Sequence, residues 1–235
     1  MRTRYRSRQA VIPGGGLGVG PPERGTPPPR ANARRAAGLG LLALAALLPA
    51  CASSGPPVPP AAAMARPEWR VGDRWLFRRT PGQGPTIMVT HEVIEARADG
   101  YTMRVSSSSQ DLARHWTPAL EVSGHTAQGR PLNRFEPGAR YFDWPLALGK
   151  AWSQAFEYRD GRTDGRYENR WRVAKEPAMV DVAAGWFVTL KIERFGGDGQ
   201  RLEAYWYAPA VRYWVRLQDD LSRYTEELVE FRPAP

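Results

Sequence analysis

Hydrophobic and polar positions after residue 67 form short runs that are rich in β-branched and aromatic residues. Such runs occupy residues 86–96, 101–105 and 186–192, and none keeps the 3.6-residue period of an amphipathic helix. Asp-Gly pairs punctuate them at 99–100, 160–161, 164–165 and 198–199. Both residue types tolerate the positive φ that tight hairpins need. The pattern therefore predicts an all-β domain of antiparallel sheets, with at most a short helix near residues 145–148.

A weak internal repeat predicts two related β units. A hydrophobic-Gly-x-x-Trp sequence at 71–75 recurs at 148–152, and a glycine-aromatic pair at 100–101 recurs at 185–186. Chance coincidence is the alternative, because the chain has nine tryptophans. We expect a first unit over residues 67–144 and a second over 145–235, packed as a sandwich or a half-barrel.

The leader has a different composition from the rest of the chain. Residues 1–51 contain eight arginines and one glutamate, so they supply +7 of the formal net charge of +9. The proline- and glycine-rich residues 1–33 are predicted to be disordered, and translation could also begin within them, for instance at Val19. Because the excess charge belongs to the leader, nucleic-acid binding is not expected.

Residues 34–50 have the pattern of a secretory signal peptide. Two arginines precede the uncharged residues 36–50, whose length of about 22 Å as a helix is short of the roughly 30 Å hydrocarbon core. A stable membrane-spanning helix is therefore not expected. The paired arginines leave the export route open.

The apolar run ends in Leu48-Pro49-Ala50-Cys51, which resembles the lipobox of bacterial lipoproteins. Leu48 and Ala50 match that family's preferences, whereas Pro49 is a less usual occupant. The resemblance implies cleavage between Ala50 and Cys51 and attachment of a diacylglyceryl group to Cys51. Cys51 is the only cysteine, so no internal disulfide can form.

The residues after the cysteine predict a destination and a tether. Asp directly after the cysteine marks inner-membrane retention in lipoproteins, and this chain has Ala52 and Ser53 there. By that resemblance we expect an exported lipoprotein that faces the periplasm, at the outer membrane. The proline-rich residues 51–66 form a tether that can extend to about 45 Å.

The domain that follows resembles uncharacterised all-β envelope lipoproteins of Gram-negative bacteria. The resemblance rests on a Gly-Asp-x-Trp start at 72–75, a Leu-Gly-Lys-x-Trp start at 148–152 and a Tyr-x-Pro-x-Val hairpin at 207–211. These motifs are structural in character. The resemblance implies a β fold and brings no catalytic residues with it.

Candidate catalytic or metal-binding residues are few. His91, His115 and His125 lack metal-ligand spacing, and no Gly-x-Ser-x-Gly elbow occurs, so we expect no metal site, no cofactor and no serine hydrolase. Asp143, between two aromatic residues, is interpreted as a turn residue before a proline.

Aromatic side chains are the better candidates for binding. Alternation along a strand places Tyr205 and Tyr207 on one side and Trp206 on the other. Most aromatic residues are expected to form the core, and some are candidates to face a lipid, a glycan or a partner peptide. The candidates are Tyr205, Trp206, Tyr207 and Trp214.

These observations predict a lipid-anchored envelope protein with a non-catalytic binding or structural domain. Its partners would be the membrane, through acyl chains on Cys51, and an unknown envelope protein, glycan or lipid. A carrier of lipid or other hydrophobic cargo in a half-barrel is the alternative, which a sizeable apolar cavity would favour. A hydrolase would need two carboxylates, or a histidine and a carboxylate, in one cleft.

Overall fold

The computed structural model describes residues 63–235, which form β-strands almost throughout. The strands are β1 (Arg74–Pro81), β2 (Ile87–Arg97), β3 (Gly100–Ser106), β4 (Asp111–Trp116), β5 (Val122–Ala127), β6 (Arg130–Ala139), β7 (Ala151–Arg159), β8 (Gly165–Val173), β9 (Ala178–Val182), β10 (Gly185–Phe195), β11 (Arg201–Ala208), β12 (Tyr213–Asp219) and β13 (Tyr224–Arg232). Between β11 and β12 lies one turn of 3-10 helix, Pro209–Val211.

Twelve of these strands close into an antiparallel barrel. The order runs β11-β12-β13-β1-β2-β3-β4-β5-β6-β7-β8-β10, and β10 also pairs with β11, which closes the ring. Strand β9 pairs only with the first part of β10, residues 185–189. A closed ring of this kind leaves few open sheet edges.

The expected sandwich or half-barrel of two β units is therefore wrong, although the all-β, antiparallel character is present. Strand β6 pairs with β7, and β1 pairs with β13. These two pairings make the strands of residues 67–144 and 145–235 parts of one continuous sheet. Two sheets that packed face to face would instead keep separate edges.

The two ends of the barrel differ in their connections. At the turn end, short turns join the strands, as between β7 and β8. At the opposite end, the segment before β1 and the connections β4–β5, β6–β7 and β11–β12 supply buried side chains that form a plug. The plug residues are Trp69, Leu120, Phe142, Leu146 and Val211.

The chain enters the barrel at this plugged end. The backbone N–H of Met64 donates to the Leu146 carbonyl at 2.6 Å, and the reverse bond is 2.9 Å. Further along, the indoles of Trp69 and Trp75 donate to the carbonyls of Arg212 and Val211 at 3.0 and 2.8 Å. The segment before β1 is thus fixed to the plug.

The expected helix near residues 145–148 is absent, since Leu146 is a plug residue that pairs with Met64. The helical turn lies instead at Pro209–Val211, where a proline suits the first position of a helix. Among residues 63–235, no helix is both long enough and apolar enough to cross a membrane.

The Asp-Gly hairpin between β2 and β3 forms as the sequence predicts. Gly100 has φ +142°, and a Cβ there would lie 1.9 Å from the carbonyl oxygen of Trp116. A side chain at this position would therefore displace β4, so only glycine fits.

Candidate functional site

The interior of the barrel is apolar near the plugged end and polar near the turn end. Strand alternation sends every second side chain inward, and in the turn-end half several of these are charged. We call the charged set the polar ring. Its members are Arg79, Arg114, Arg194, Glu203, Asp219 and Glu226.

Strand register places five of these residues on five consecutive strands of the barrel. Arg194 of β10 lies opposite Glu203 of β11, and Glu203 lies opposite Asp219 of β12. Glu226 of β13 lies opposite Arg79 of β1. Each has a buried residue two positions before or after it, such as Ile192 before Arg194 and Tyr205 after Glu203, so all belong to the inward face.

Arg194 and Glu203 form a buried ion pair. Arg194 Nη1 lies 3.3 Å from Glu203 Oε2, and the arginine side chain is only 3% exposed. The hydroxyl of Tyr205 donates a short hydrogen bond to Glu203. Burial raises the pKa of Glu203, Arg194 opposes that rise, and the charge of Asp219 adds to it. Burial likewise raises the pKa of Asp219.

Burial disfavours the charge on Arg194, but Glu203 and two tyrosines hold its pKa above the ordinary value. Arg194 Nη1 donates to the hydroxyl of one of them, Tyr141, at 3.4 Å. Among residues 63–235, no group accepts a hydrogen bond from the Nε of Arg194. Arg194 thus keeps its charge in a setting where desolvation is costly.

The second ion pair of the polar ring joins Arg79 and Glu226. Arg79 Nη2 lies 2.6 Å from Glu226 Oε1, and the carboxylate side chain is 1% exposed. Glu226 raises the pKa of Arg79 against the effect of burial, and the guanidinium also lies 4.7 Å from the ring centre of Tyr224.

The third arginine, Arg114, contacts a histidine rather than an acid. Its Nε donates to His125 Nε2 at 3.1 Å, and His125 Nδ1 lies 2.7 Å from Asn133 Oδ1. Burial, and then the charge of Arg114, lower the pKa of His125 to about 3. His125 is therefore neutral at physiological pH.

A cleft of about 280 Å³ opens at the turn end of the barrel. Its lining residues are Thr80, Pro81, Gly82, Gln218, Asp219, Asp220, Arg223, Tyr224 and Thr225. Asp219 belongs to both the cleft and the polar ring, and it accepts a 2.7 Å hydrogen bond from the backbone N–H of Ser222. A second opening of about 360 Å³ lies beside the turn between β7 and β8.

The carboxylates beside the cleft are already engaged. Asp220 accepts two hydrogen bonds from Arg201, at 2.7 and 3.3 Å, and one from Gln218 at 2.8 Å. Glu203, the neighbour of Asp219, does not line the cleft. The arrangement can bind a small polar group, and Asp219 brings a carboxylate of raised pKa to the opening.

The four aromatic candidates from the sequence lie on two faces. Tyr205, Tyr207 and Trp214 are buried inside the barrel, with Phe142 of the plug between 5.7 and 6.4 Å from each ring. Trp206 lies on the outer face between two cations, Lys191 at 5.5 Å and Arg216 at 5.8 Å.

Asp143, Ala50 and Cys51 are the other residues that the sequence singled out. Asp143 forms ion pairs with Lys150 at 2.8 Å and Arg140 at 3.4 Å, as a turn residue can. Among residues 63–235, no group of three or more histidine, cysteine, aspartate or glutamate side chains could hold a metal ion. Ala50 and Cys51 lie outside the described residues.

Sequence reasoning missed the polar ring, although a signal for it exists. In Leu190-Lys191-Ile192-Glu193-Arg194, alternation puts Arg194 on the face of two buried aliphatic residues. The same rule puts Asp219 on the face of the buried Leu217. A charged residue at an inward position of a strand, next to core residues on the same face, indicates a buried ion pair.

Comparisons with known proteins find only remote similarity. No protein-family model matches the chain, and no curated protein matches it. A candidate lipoprotein of Parabacteroides distasonis is 12% identical, with 73% of this chain and 100% of that chain covered and a TM-score of 0.37. The hypothetical lipoprotein YmcC of Escherichia coli is 9% identical, with 70% and 85% covered and a TM-score of 0.44.

A candidate exported protein of Bacteroides fragilis with a YmcC-like fold is 11% identical, with 73% and 100% covered and a TM-score of 0.38. TM-scores below 0.5 at such low identity do not establish a shared fold or function. The fold of this chain therefore rests on its own strand pairing.

Proposed function

We propose that this protein is a lipid-anchored component of the cell envelope whose closed barrel binds a partner or has a structural role, without catalysis. Acyl chains on Cys51 hold it at the membrane, and residues 51–66 form the tether. It faces the periplasm, and Ala52 and Ser53 favour the outer membrane.

The observation that carries this proposal is the point where the tether meets the barrel. Met64 pairs with Leu146 in the plug, so the tether joins the plugged end. The cleft lies at the opposite end of the barrel. Because the tether joins the end opposite to the cleft, anchoring at Cys51 does not cover the polar opening, which stays available to a partner from the periplasm.

Packing of the interior favours binding at the surface over transport of hydrophobic cargo. A carrier needs an apolar chamber, and aromatic rings occupy the apolar half: Trp75, for example, is fully buried and lies within 6 Å of Trp69, Tyr213 and Phe231. A non-catalytic role is supported by Asp220 and Glu203, whose carboxylates are held by arginines.

Metabolic labelling with palmitate tests the anchor. We expect label on the wild-type protein, found in the membrane fraction, and none on Cys51→Ser. The matched control is Ala52→Asp, which should keep the label and change the membrane in which the protein is found. Equal labelling of Cys51→Ser and wild type would contradict the proposal.

A further inference from the structure

The hairpin formed by β9 and β10 has an exposed apolar face. Met179, Trp186 and Val188 are 63%, 69% and 40% exposed. Val188 lies directly opposite Met179 in the hairpin, and Trp186 lies two residues along the same strand, so the three side chains share one face. The exposed Asp181, directly opposite Trp186, also belongs to this face. We call the three apolar side chains the apolar face. Contiguous exposed apolar side chains of this kind mark sites of interaction.

The opposite side of the hairpin is buried, so the apolar face cannot turn inward. Val180 and Val182 belong to the core, in the alternate positions of β9. The hairpin is also held to the barrel wall. The backbone N–H of Ala184 donates to the Leu228 carbonyl at 3.2 Å, and Arg216 Nη2 donates to the Asp181 carbonyl at 3.0 Å.

The hairpin covers a gap between β12 and β13, and this gap explains the position of the hairpin. Strands β12 and β13 pair only between residues 216–219 and 224–227. Beyond that point the two strands separate, and the Leu228 carbonyl pairs with the hairpin. The hairpin therefore supplies backbone and side-chain contacts to the wall, and its outward residues are not needed for that purpose.

The base of the hairpin is at the same end of the barrel as Met64, and its tip reaches the middle of β13, where Ala184 pairs with Leu228. The segment that leads into the hairpin follows β8 at the plugged end, where the Gly149 N–H donates to the Ala174 carbonyl at 3.0 Å. Gly149 lies in the same loop as Leu146, which pairs with Met64. Only twelve residues separate Met64 from Cys51, a reach of about 40 Å when fully extended.

We propose that the apolar face docks on the lipid bilayer to which the protein is anchored, with Trp186 at the level of the headgroups. The inference rests on lipid attachment at Cys51. The bilayer is the apolar surface that a short tether keeps within reach, and tryptophan is the side chain that membrane interfaces favour. Docking fixes the orientation of the barrel, which the tether alone leaves free.

Depth-dependent fluorescence quenching tests this docking. In the acylated protein the sulfur of Cys51 is a thioether, so an introduced cysteine is the only free thiol. Val188→Cys is labelled with bimane, and the full lipidated protein is reconstituted in phosphatidylethanolamine and phosphatidylglycerol vesicles that contain a nitroxide lipid. The matched control is Leu132→Cys, which is 46% exposed and lies near the start of β6 at the turn end.

We expect severalfold stronger quenching by the nitroxide lipid at position 188 than at 132. Adding Trp186→Ser should reduce the quenching at 188 severalfold without a change in acylation. Equal quenching at 188 and 132 in protein whose acylation is confirmed by mass would overturn the docking and leave the anchor intact.

Two other outcomes are also decisive. A probe at 188 that is shielded from an aqueous quencher, yet not reached by the nitroxide lipid, indicates a protein occupant and contradicts bilayer docking. Protein that carries no acyl chains by mass contradicts the proposed function, and the docking inference fails with it.

Discussion

The two halves of the barrel interior are built on different principles. In the half near the plugged end, aromatic rings pack edge to face, as Trp69 does against Trp116 at 5.1 Å. In the turn-end half, buried charges pair across strands, as Arg194 does with Glu203. An aromatic ring can pack against any apolar neighbour, whereas each buried charge needs its counterion to offset the cost of desolvation.

This difference assigns separate roles to the halves. Burial of large rings stabilises the fold, and the plug keeps water from that half. The polar ring adds little net stability, since desolvation offsets most of the attraction between its charges. Buried atoms such as Arg194 Nε and Glu226 Oε2 lack a protein partner, which costs stability further. The polar half is therefore where a functional constraint is to be expected.

The largest loss of stability is expected from a substitution in the apolar half. Trp75→Ala removes a fully buried indole that contacts three other rings, and it should lower the free energy of unfolding by about 3–5 kcal/mol. The control Trp186→Ala, at an exposed position, should change it by about 0.5 kcal/mol or less. Urea unfolding measures both, and equal losses would show that the apolar half does not dominate stability.

In the polar half, Arg194→Met should destabilise by about 3 kcal/mol at pH 8, because it leaves Glu203 buried without its counterion. The loss should be smaller at pH 5. Burial already raises the pKa of Glu203, and without Arg194 the carboxyl takes up a proton more readily as the pH falls.

The matched control for that variant is Arg78→Met, which removes an ion pair to Glu227 on the outer face. It should cost about 1 kcal/mol or less. A loss from Arg194→Met that is no greater than the control, or that does not depend on pH, would contradict a buried, counterion-dependent polar ring.

The smallest expected change in stability comes from His91, a fully buried histidine in the apolar half. Burial, with smaller effects of Arg114 and Arg79, holds its pKa well below the ordinary value. The unfolded chain therefore binds a proton below about pH 6.5 that the folded chain does not, so stability falls as the pH falls, by up to about 1.4 kcal/mol per pH unit.

His91→Phe should remove that contribution, so the variant should keep about 1.6 kcal/mol of stability that the wild type loses between pH 6.5 and 5. His125, whose pKa is also lowered, keeps its own contribution in both proteins. Urea unfolding at the two pH values measures the difference. The same pH dependence in variant and wild type would show that His91 is not buried in its neutral form.

Local features of the fold were open to prediction from sequence. The Asp-Gly turn at 99–100 and the opposite faces of Tyr205 and Trp206 follow from backbone preferences and strand alternation, and the structure confirms both. Closure of the barrel was not open to prediction. It depends on β1 pairing with β13, and an inward apolar face looks the same in a sandwich, a half-barrel and a barrel.

The polar ring escaped prediction for a related reason. Charged residues on a strand are normally exposed. Alternation marks Arg194 as an inward position, but it does not identify Glu203 as its counterion. Only the register between β10 and β11 places them opposite each other. The polar ring is found from the structure, whereas the anchor at Cys51 is predicted from the sequence alone and lies outside the described residues.

The most direct test of a lipid-anchored barrel is mass spectrometry of the mature amino terminus, on protein purified from cell envelopes. The predicted result is a chain that begins at Cys51 and carries a diacylglyceryl group on its sulfur and a third acyl chain on its amino group. A mature chain with an unmodified Cys51, or one that begins after it, would contradict the anchor and the orientation derived from it.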